Sequence, residues 1–183
     1  MPGTIDHAPI ARSFPPIASE NARVLVLGSM PGVASLEAQQ YYAHPRNSFW
    51  RLMGELFGFD SRADYASRCR VLEMSGVAVW DVLSECRRQG SLDSSIDTAS
   101  ESPNDIAALL GDCPSIERVL FNGGKAESAF HRHVLPSLGN ELLSRIERMR
   151  LPSTSPANAG TRYSEKLDAW RDALCPAGPM RTL

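Results

Sequence analysis

Four short runs, rich in apolar and β-branched residues, recur along the chain with helix-compatible segments between them: Arg23 to Ser29, Gly76 to Val82, Ile116 to Asn122 and Glu147 to Ser153. Short apolar strands that alternate with helical stretches build a parallel sheet covered on both faces. The expected fold class is α/β: a three-layer α/β/α sandwich around a central four-stranded parallel sheet. In "NSFWRLMGELFG", Phe49, Leu52, Met53, Leu56 and Phe57 recur at helical spacing, which predicts a helix with one buried face. Further helices are predicted in "ESPNDIAALLGDCPS", with Ser102 as N-cap and Pro103 in the first turn, in "GGKAESAFHRHVLPSL" and in "TRYSEKLDAWRDAL". The polar stretch "RRQGSLDSSIDTASES" reads as a surface loop. No repeat interrupts the pattern, so residues 1–183 form one expected domain, with 1 to about 20 and 176–183 as loosely attached arms.

Composition narrows the class without naming a function. A chain of 183 residues, 43% hydrophobic and 22% charged, can bury its own core. A net charge of -2 gives no global attraction to DNA or to acidic membranes, although a local basic patch can still bind phosphates. Cys69, Cys86, Cys113 and Cys175 are far apart and form no C-x-x-C pair, which excludes the usual zinc and iron–sulfur spacings and predicts free thiols in a reducing compartment. The first residues have neither a charged start nor an apolar stretch typical of a secretory signal, and no run reaches the ~18 apolar residues of a membrane span. The expectation is a cytoplasmic protein that contacts no membrane.

In open parallel sheets the ligand crevice lies beyond the C-terminal strand ends. Four polar or glycine-rich segments follow the four strands: "GSMPG" through "HPRN", "WDVLSE", "FNGGK" and "LPSTSPANAG". The first is neither G-x-G-x-x-G nor a phosphate loop, and "GGKA" has alanine where a metal-binding hydroxyl would stand, so nucleoside-triphosphate chemistry is disfavoured. His131 and His133 are two apart and point to different helix faces, which suits a solvated pair better than a metal site. Ser153 and Ser155 lack the G-x-S-x-G context of a nucleophile and fit a backbone-binding loop.

In combination, "GSMPG", "YYAHPRNSFW" and "LPSTSPAN" resemble the uracil-DNA glycosylase superfamily, most closely its hypoxanthine-DNA (deoxyinosine) glycosylase branch, over roughly Arg23 to Arg171. "AHPRNSFW" is also similar to a run in mismatch-specific uracil glycosylases. The resemblance implies an enzyme that extrudes a deaminated nucleotide from DNA, duplex or single-stranded, and hydrolyses its N-glycosidic bond as a monomer without metal or organic cofactor. It puts Gly28, Ser29, Met30, Pro31, Gly32, Tyr42 and His44 around the base, with Tyr42 as the stacking ring. Gly28 and Gly32 allow close backbone approach and Pro31 stiffens the turn. Met30 stands where many relatives carry a water-orienting Asn or Asp, so Asn47 becomes the expected water-positioning residue, and it is also a suitable N-cap for a helix starting at Ser48. Asp81 replaces a base-reading asparagine; ionised, it could only accept, taking N1–H of hypoxanthine while Asn122 donates to O6. Leu151 replaces a histidine that stabilises the leaving base in many relatives. Ser153, Thr154 and Ser155 would hold phosphates, and Pro156, Ala157 and Asn158 would occupy the wedge position. Lys125 reads as a phosphate or helix-surface contact, and with no well-placed lysine nucleophile the enzyme would leave an abasic site uncut. Two alternatives stay open: a mismatch-specific uracil or thymine glycosylase, and a damaged-DNA-binding module that has lost catalysis.

Overall fold

The computed structural model describes residues 8–175. In chain order its elements are β1 (Ile10–Arg12), β2 (Val24–Gly28), α1 (Val33–Ala38), α2 (Phe49–Phe57), α3 (Tyr65–Met74), β3 (Val77–Asp81), β4 (Leu83–Arg88), β5 (Ile96–Pro103), α4 (Ile106–Asp112), β6 (Arg118–Asn122), α5 (Gly124–His133), α6 (Asn140–Arg145), β7 (Glu147–Leu151) and α7 (Tyr163–Leu174). Strand β2 is buried at all its positions, as a central strand with helices on both sides must be. It pairs in parallel with β3 and β6, and β6 pairs in parallel with β7, giving the order β3-β2-β6-β7.

Because side chains alternate along a strand, the sheet serves two cores. Leu25 and Leu27 point to one, filled by Leu110 of α4 and Ala129 and Phe130 of α5. Val24 and Val26 point to the other, filled by Phe49, Leu52 and Met53 of α2, Leu72 of α3 and Trp170 of α7. This is the three-layer sandwich anticipated from the hydrophobic pattern. All four cysteines are free thiols. Among the described residues no helix is long and apolar enough to cross a membrane.

The structure corrects the sequence reading in several places. The supposed surface loop "RRQGSLDSSIDTASES" contains most of a hairpin, and β1, β4 and β5 form a second, antiparallel sheet in the order β1-β4-β5. Residues 8 to 20 are not a loose arm: β1 pairs with β4, and buried Ile17 bridges to Val79. Residues 1–7 and the expected tail at 176–183 lie outside the described residues. Helix α4 starts later than expected, because Ser102 and Pro103 extend β5; Asp105 is the cap and accepts from Ala108 N–H at 2.9 Å. Short helices α1 and α6 were not anticipated. Helix α2 begins at Phe49 with Ser48 as N-cap, yet Asn47 still caps locally, its Oδ1 accepting from Phe49 N–H at 2.9 Å.

Candidate functional site

A cavity of about 630 Å³ opens at the C-terminal ends of the parallel strands. Gly28, Ser29, Met30, Pro31 and Gly32 line it from the loop after β2, Tyr42, His44 and Asn47 from the turn before α2, Asp81 and Asn122 from the ends of β3 and β6. Residues 153–158 (Ser153, Thr154, Ser155, Pro156, Ala157 and Asn158) close it from the loop after β7. Strand ends converge here because the sheet is parallel, so segments distant in sequence deliver side chains to one place. The cavity also has a wall that the sequence did not suggest, Ser91 to Ser94 from the tip between β4 and β5, and a rim residue, Arg150.

The floor is polar and incompletely satisfied. Asp81 is 3% exposed, and its Oδ2 has no hydrogen-bond partner; the Tyr42 hydroxyl is likewise buried and unpartnered. Both lie against the Gly28 backbone, where a Cβ would overlap Asp81 Oδ1 and come within 3.0 Å of the Tyr42 hydroxyl, so only glycine fits. Burial pushes the Asp81 carboxyl up to about 8; the negative charge of Asp93 adds to the shift and Arg88 opposes it. An ionised Asp81, expected from sequence, is therefore corrected to a largely neutral acid at pH 7, because desolvation outweighs the one nearby cation. Tyr42 adopts a left-handed backbone conformation, φ 56°, rare for a bulky residue. Its ring stacks on Phe49 with centroids 4.1 Å apart and planes 28° from parallel.

The turn before α2 is tightly bonded. Asn47 N–H donates to His44 C=O at 2.8 Å, and Arg46 N–H to His44 Nδ1 at 3.1 Å. Ser48 donates through both N–H and Oγ to Thr154 C=O, at 3.0 and 3.3 Å, joining this turn to the last loop.

In that last loop, Thr154 does not point outward as a phosphate contact. It is 1% exposed and exchanges two bonds with Asn122: Thr154 N–H donates to Asn122 Oδ1 and Asn122 Nδ2 to Thr154 Oγ1, both 2.9 Å. Ser153 Oγ and Ser155 Oγ each accept a backbone N–H, from Ser155 and Ala157 at 3.2 Å, which leaves each hydroxyl proton free. Residues 156–158 form a single 3-10 turn, and buried Lys166 of α7 donates to Asn158 C=O at 2.9 Å. Gly123, at φ 98°, permits Ser153 to pack where a Cβ would lie 3.0 Å from the serine Cβ.

Two expectations for α5 change because β5 brings Glu101 onto that helix. Lys125 pairs with the buried Glu101 carboxylate and is not a phosphate contact, and His133 Nε2 lies 2.7 Å from the same carboxylate, so only His131 remains solvated. Among the described residues no group of three or more His, Cys, Asp or Glu side chains could hold a metal ion.

A doubly covered parallel sheet thus surrounds, at its strand ends, a pocket with an aromatic wall and an unsatisfied polar floor, the arrangement of an α/β ligand-binding protein. The family description "Uracil DNA glycosylase superfamily" matches residues 15–174, and the chain belongs to that superfamily. Among its relatives is a protein named hypoxanthine DNA glycosylase from Methanosarcina barkeri (strain Fusaro / DSM 804), 36% identical over 164 residues, 89% of this chain and 97% of the relative. Another of the same name, from Methanosarcina acetivorans, is 34% identical over 166 residues, 90% of this chain and 98% of the relative. A solution NMR structure from Methanosarcina acetivorans, provisionally named a uracil DNA glycosylase, superposes with a TM-score of 0.75 at 32% identity, covering 91% of this chain and 97% of its own.

Proposed function

We propose that the protein is a monofunctional DNA glycosylase that hydrolyses the N-glycosidic bond of deaminated bases in DNA, with hypoxanthine preferred, in base excision repair. The observation that carries this reading is the floor of the cavity, where buried Asp81 and Tyr42 atoms without partners await polar groups of a ligand. An extruded nucleotide enters base first, and the ring of Tyr42, backed by Phe49, provides the stacking platform. Asn47 holds the hydrolytic water: Phe49 N–H uses one lone pair of its Oδ1 and fixes the side chain, leaving the other lone pair and the amide protons for water and substrate. Catalysis by a neutral amide suffices where the transition state is oxocarbenium-like and the barrier falls through positioning and stabilisation of the departing base. Ser153 and Ser155, with free hydroxyl protons, bind the flanking phosphates, joined by Arg150 at the rim, whose exposed guanidinium lies 3.3 Å from Glu127 and exchanges that pair for phosphate. No lysine lines the cavity among the described residues, and Lys125 and Lys166 are held by Glu101 and Asn158, which supports hydrolysis without a Schiff base. The protein works as a monomer on duplex or single-stranded DNA.

The test is incubation with oligonucleotides carrying one hypoxanthine, xanthine or uracil, followed by alkaline cleavage of abasic sites. Release of hypoxanthine is expected to exceed the others. Preferential release of uracil or thymine from mismatches would favour the reading suggested by "HPRNSFW", and tight binding with no product from any substrate would leave a binding module.

A further inference from the structure

We propose that burial and the charge of Asp93, brought into the pocket wall by the second sheet, together keep Asp81 in its neutral acid form, so that the floor offers the extruded base a carboxylic O–H beside a carbonyl acceptor. The inference rests on the glycosylase reading for its substrate but not for its electrostatics. Asp93 belongs to none of the motifs; it arrives on the tip between β4 and β5, which is stitched to the loop after β2. Ser29 Oγ donates to Asp93 Oδ1 at 2.7 Å, Val33 N–H donates to Ser91 Oγ at 2.9 Å, and buried Arg88 donates to the carbonyls of Gly90, Met30 and Pro31. With three of its five N–H donors on carbonyls, Arg88 forms no ion pair among the described residues and does not neutralise either carboxylate directly.

Two carboxyls facing one cavity titrate as a pair, and the proton stays on the one less able to support charge. Burial of its inner side raises the Asp93 carboxyl too, but Asp93 is exposed on its outer side, and the Ser29 hydroxyl and the field of Arg88 and Lys125 oppose that shift. Asp81 is 3% exposed and has an unbonded Oδ2. The groups around it are the Gly28 backbone from β2, the neutral Tyr41 and Tyr42 hydroxyls, Arg88 from β4 and Asp93; the Asn122 amide at the end of β6 is engaged by Thr154. The negative charge therefore resides on Asp93 and the proton on Asp81.

The chemistry favours that arrangement. A 6-oxopurine shows an N1–H donor next to the O6 acceptor, and a neutral carboxyl matches both with its C=O and O–H, whereas a carboxylate only accepts and repels O6. A proton donor at O6 also stabilises the negative charge that builds on the base as the glycosidic bond breaks. Asp93 touches no reacting atom and acts as a positioning residue for the Asp81 proton.

The experiment follows single-turnover release of hypoxanthine from a single-stranded oligonucleotide against pH, together with the infrared carbonyl band of protonated carboxyls. For the native protein the rate should fall as pH rises past about 8, roughly tenfold per unit. Asp81→Asn, whose amide keeps a donor and an acceptor at every pH, should lower the rate but lose its alkaline fall. Asp93→Asn should move the fall, and the loss of the infrared band, towards lower pH by about one unit or more. An alkaline fall that survives Asp81→Asn, or a profile that Asp93→Asn leaves in place, overturns the proposal. If no base is released from any substrate, the glycosylase reading fails separately; the infrared band still decides the proposal, supporting it if Asp81→Asn removes the band at neutral pH and refuting it if the band persists.

Discussion

Replacing Asp81 by Asn should make the protein more stable at neutral pH and less stable in acid, a crossover set by the pocket floor. The Asp81 carboxyl is raised from 3.8 to about 8 by burial and by Asp93. Its folded form thus holds a proton that the unfolded chain has lost, so stability is fullest below about pH 4 and declines as pH rises to about 8, by about 1.4 kcal/mol per unit. At pH 7 the accumulated loss is about 4 kcal/mol. Asparagine does not titrate and escapes this loss, but it buries an amide N–H that, like the present Oδ2, lacks a partner, costing about 2 kcal/mol. The net expectation at pH 7 is a gain of about 2 kcal/mol, or about 4–8 °C in Tm for a chain of this size. Near pH 4 only the amide penalty remains, so the order reverses, with curves crossing near pH 5 by the same linkage arithmetic. Urea midpoints of both proteins from pH 4 to pH 8 provide the measurement. Parallel pH profiles would refute the reasoning, since they would mean that Asp81 is ionised in the folded protein.

Asn47→Ala should slow base release by about 100-fold with DNA affinity nearly intact; a stability loss of about 1 kcal/mol is expected in urea melts because the Phe49 cap bond goes with it, and a stability loss without the kinetic one would leave only the cap. Gly28→Ala should displace Asp81 and Tyr42 at an overpacking cost of about 1–3 kcal/mol, read as a lower Tm together with loss of activity on every base. Arg150→Ala should weaken DNA binding and reduce the slope of log affinity against log salt by about 0.9, checked by fluorescence anisotropy in a salt series. Ala157 is too small to plug a vacated base stack, so hypoxanthine in single strands or mismatches should react faster than in stable pairs; Ala157→Leu should narrow that gap, and equal rates in all contexts would remove the wedge assignment.

What could be read from the sequence follows from how each part is stabilised. Strands β2, β3 and β6 are buried almost throughout, and a doubly covered strand must be apolar along its length, so their boundaries came out within two residues. Strand β5 is the opposite case: Ile96 is its one buried hydrophobic residue, and apart from the Glu101 contacts to α5 the strand is held by backbone pairing to β4, which in turn pairs with β1 about 75 residues earlier in the chain. Backbone pairing leaves no pattern in side chains, and "SIDTASESP" looks like a loop whether paired or not. The site divides along the same line. Residues that follow the parallel strands could be placed because topology alone sends strand ends to the crevice, whereas Asp93 reaches it, and Arg88 braces the loop beside it, through the second sheet. Nothing in the sequence distinguishes Arg88, 2% exposed and bonded to three carbonyls, from a solvated arginine. The charge state of Asp81 was misread because burial at the pocket floor, the main cause of its raised carboxyl, exists only in the folded chain, and Asp93, which adds to it, comes from a sheet whose side chains do not announce it. A pocket can therefore keep its motifs while its proton affinity is tuned from β4 and β5, where substitutions alter the chemistry at the floor without touching a residue that contacts the base.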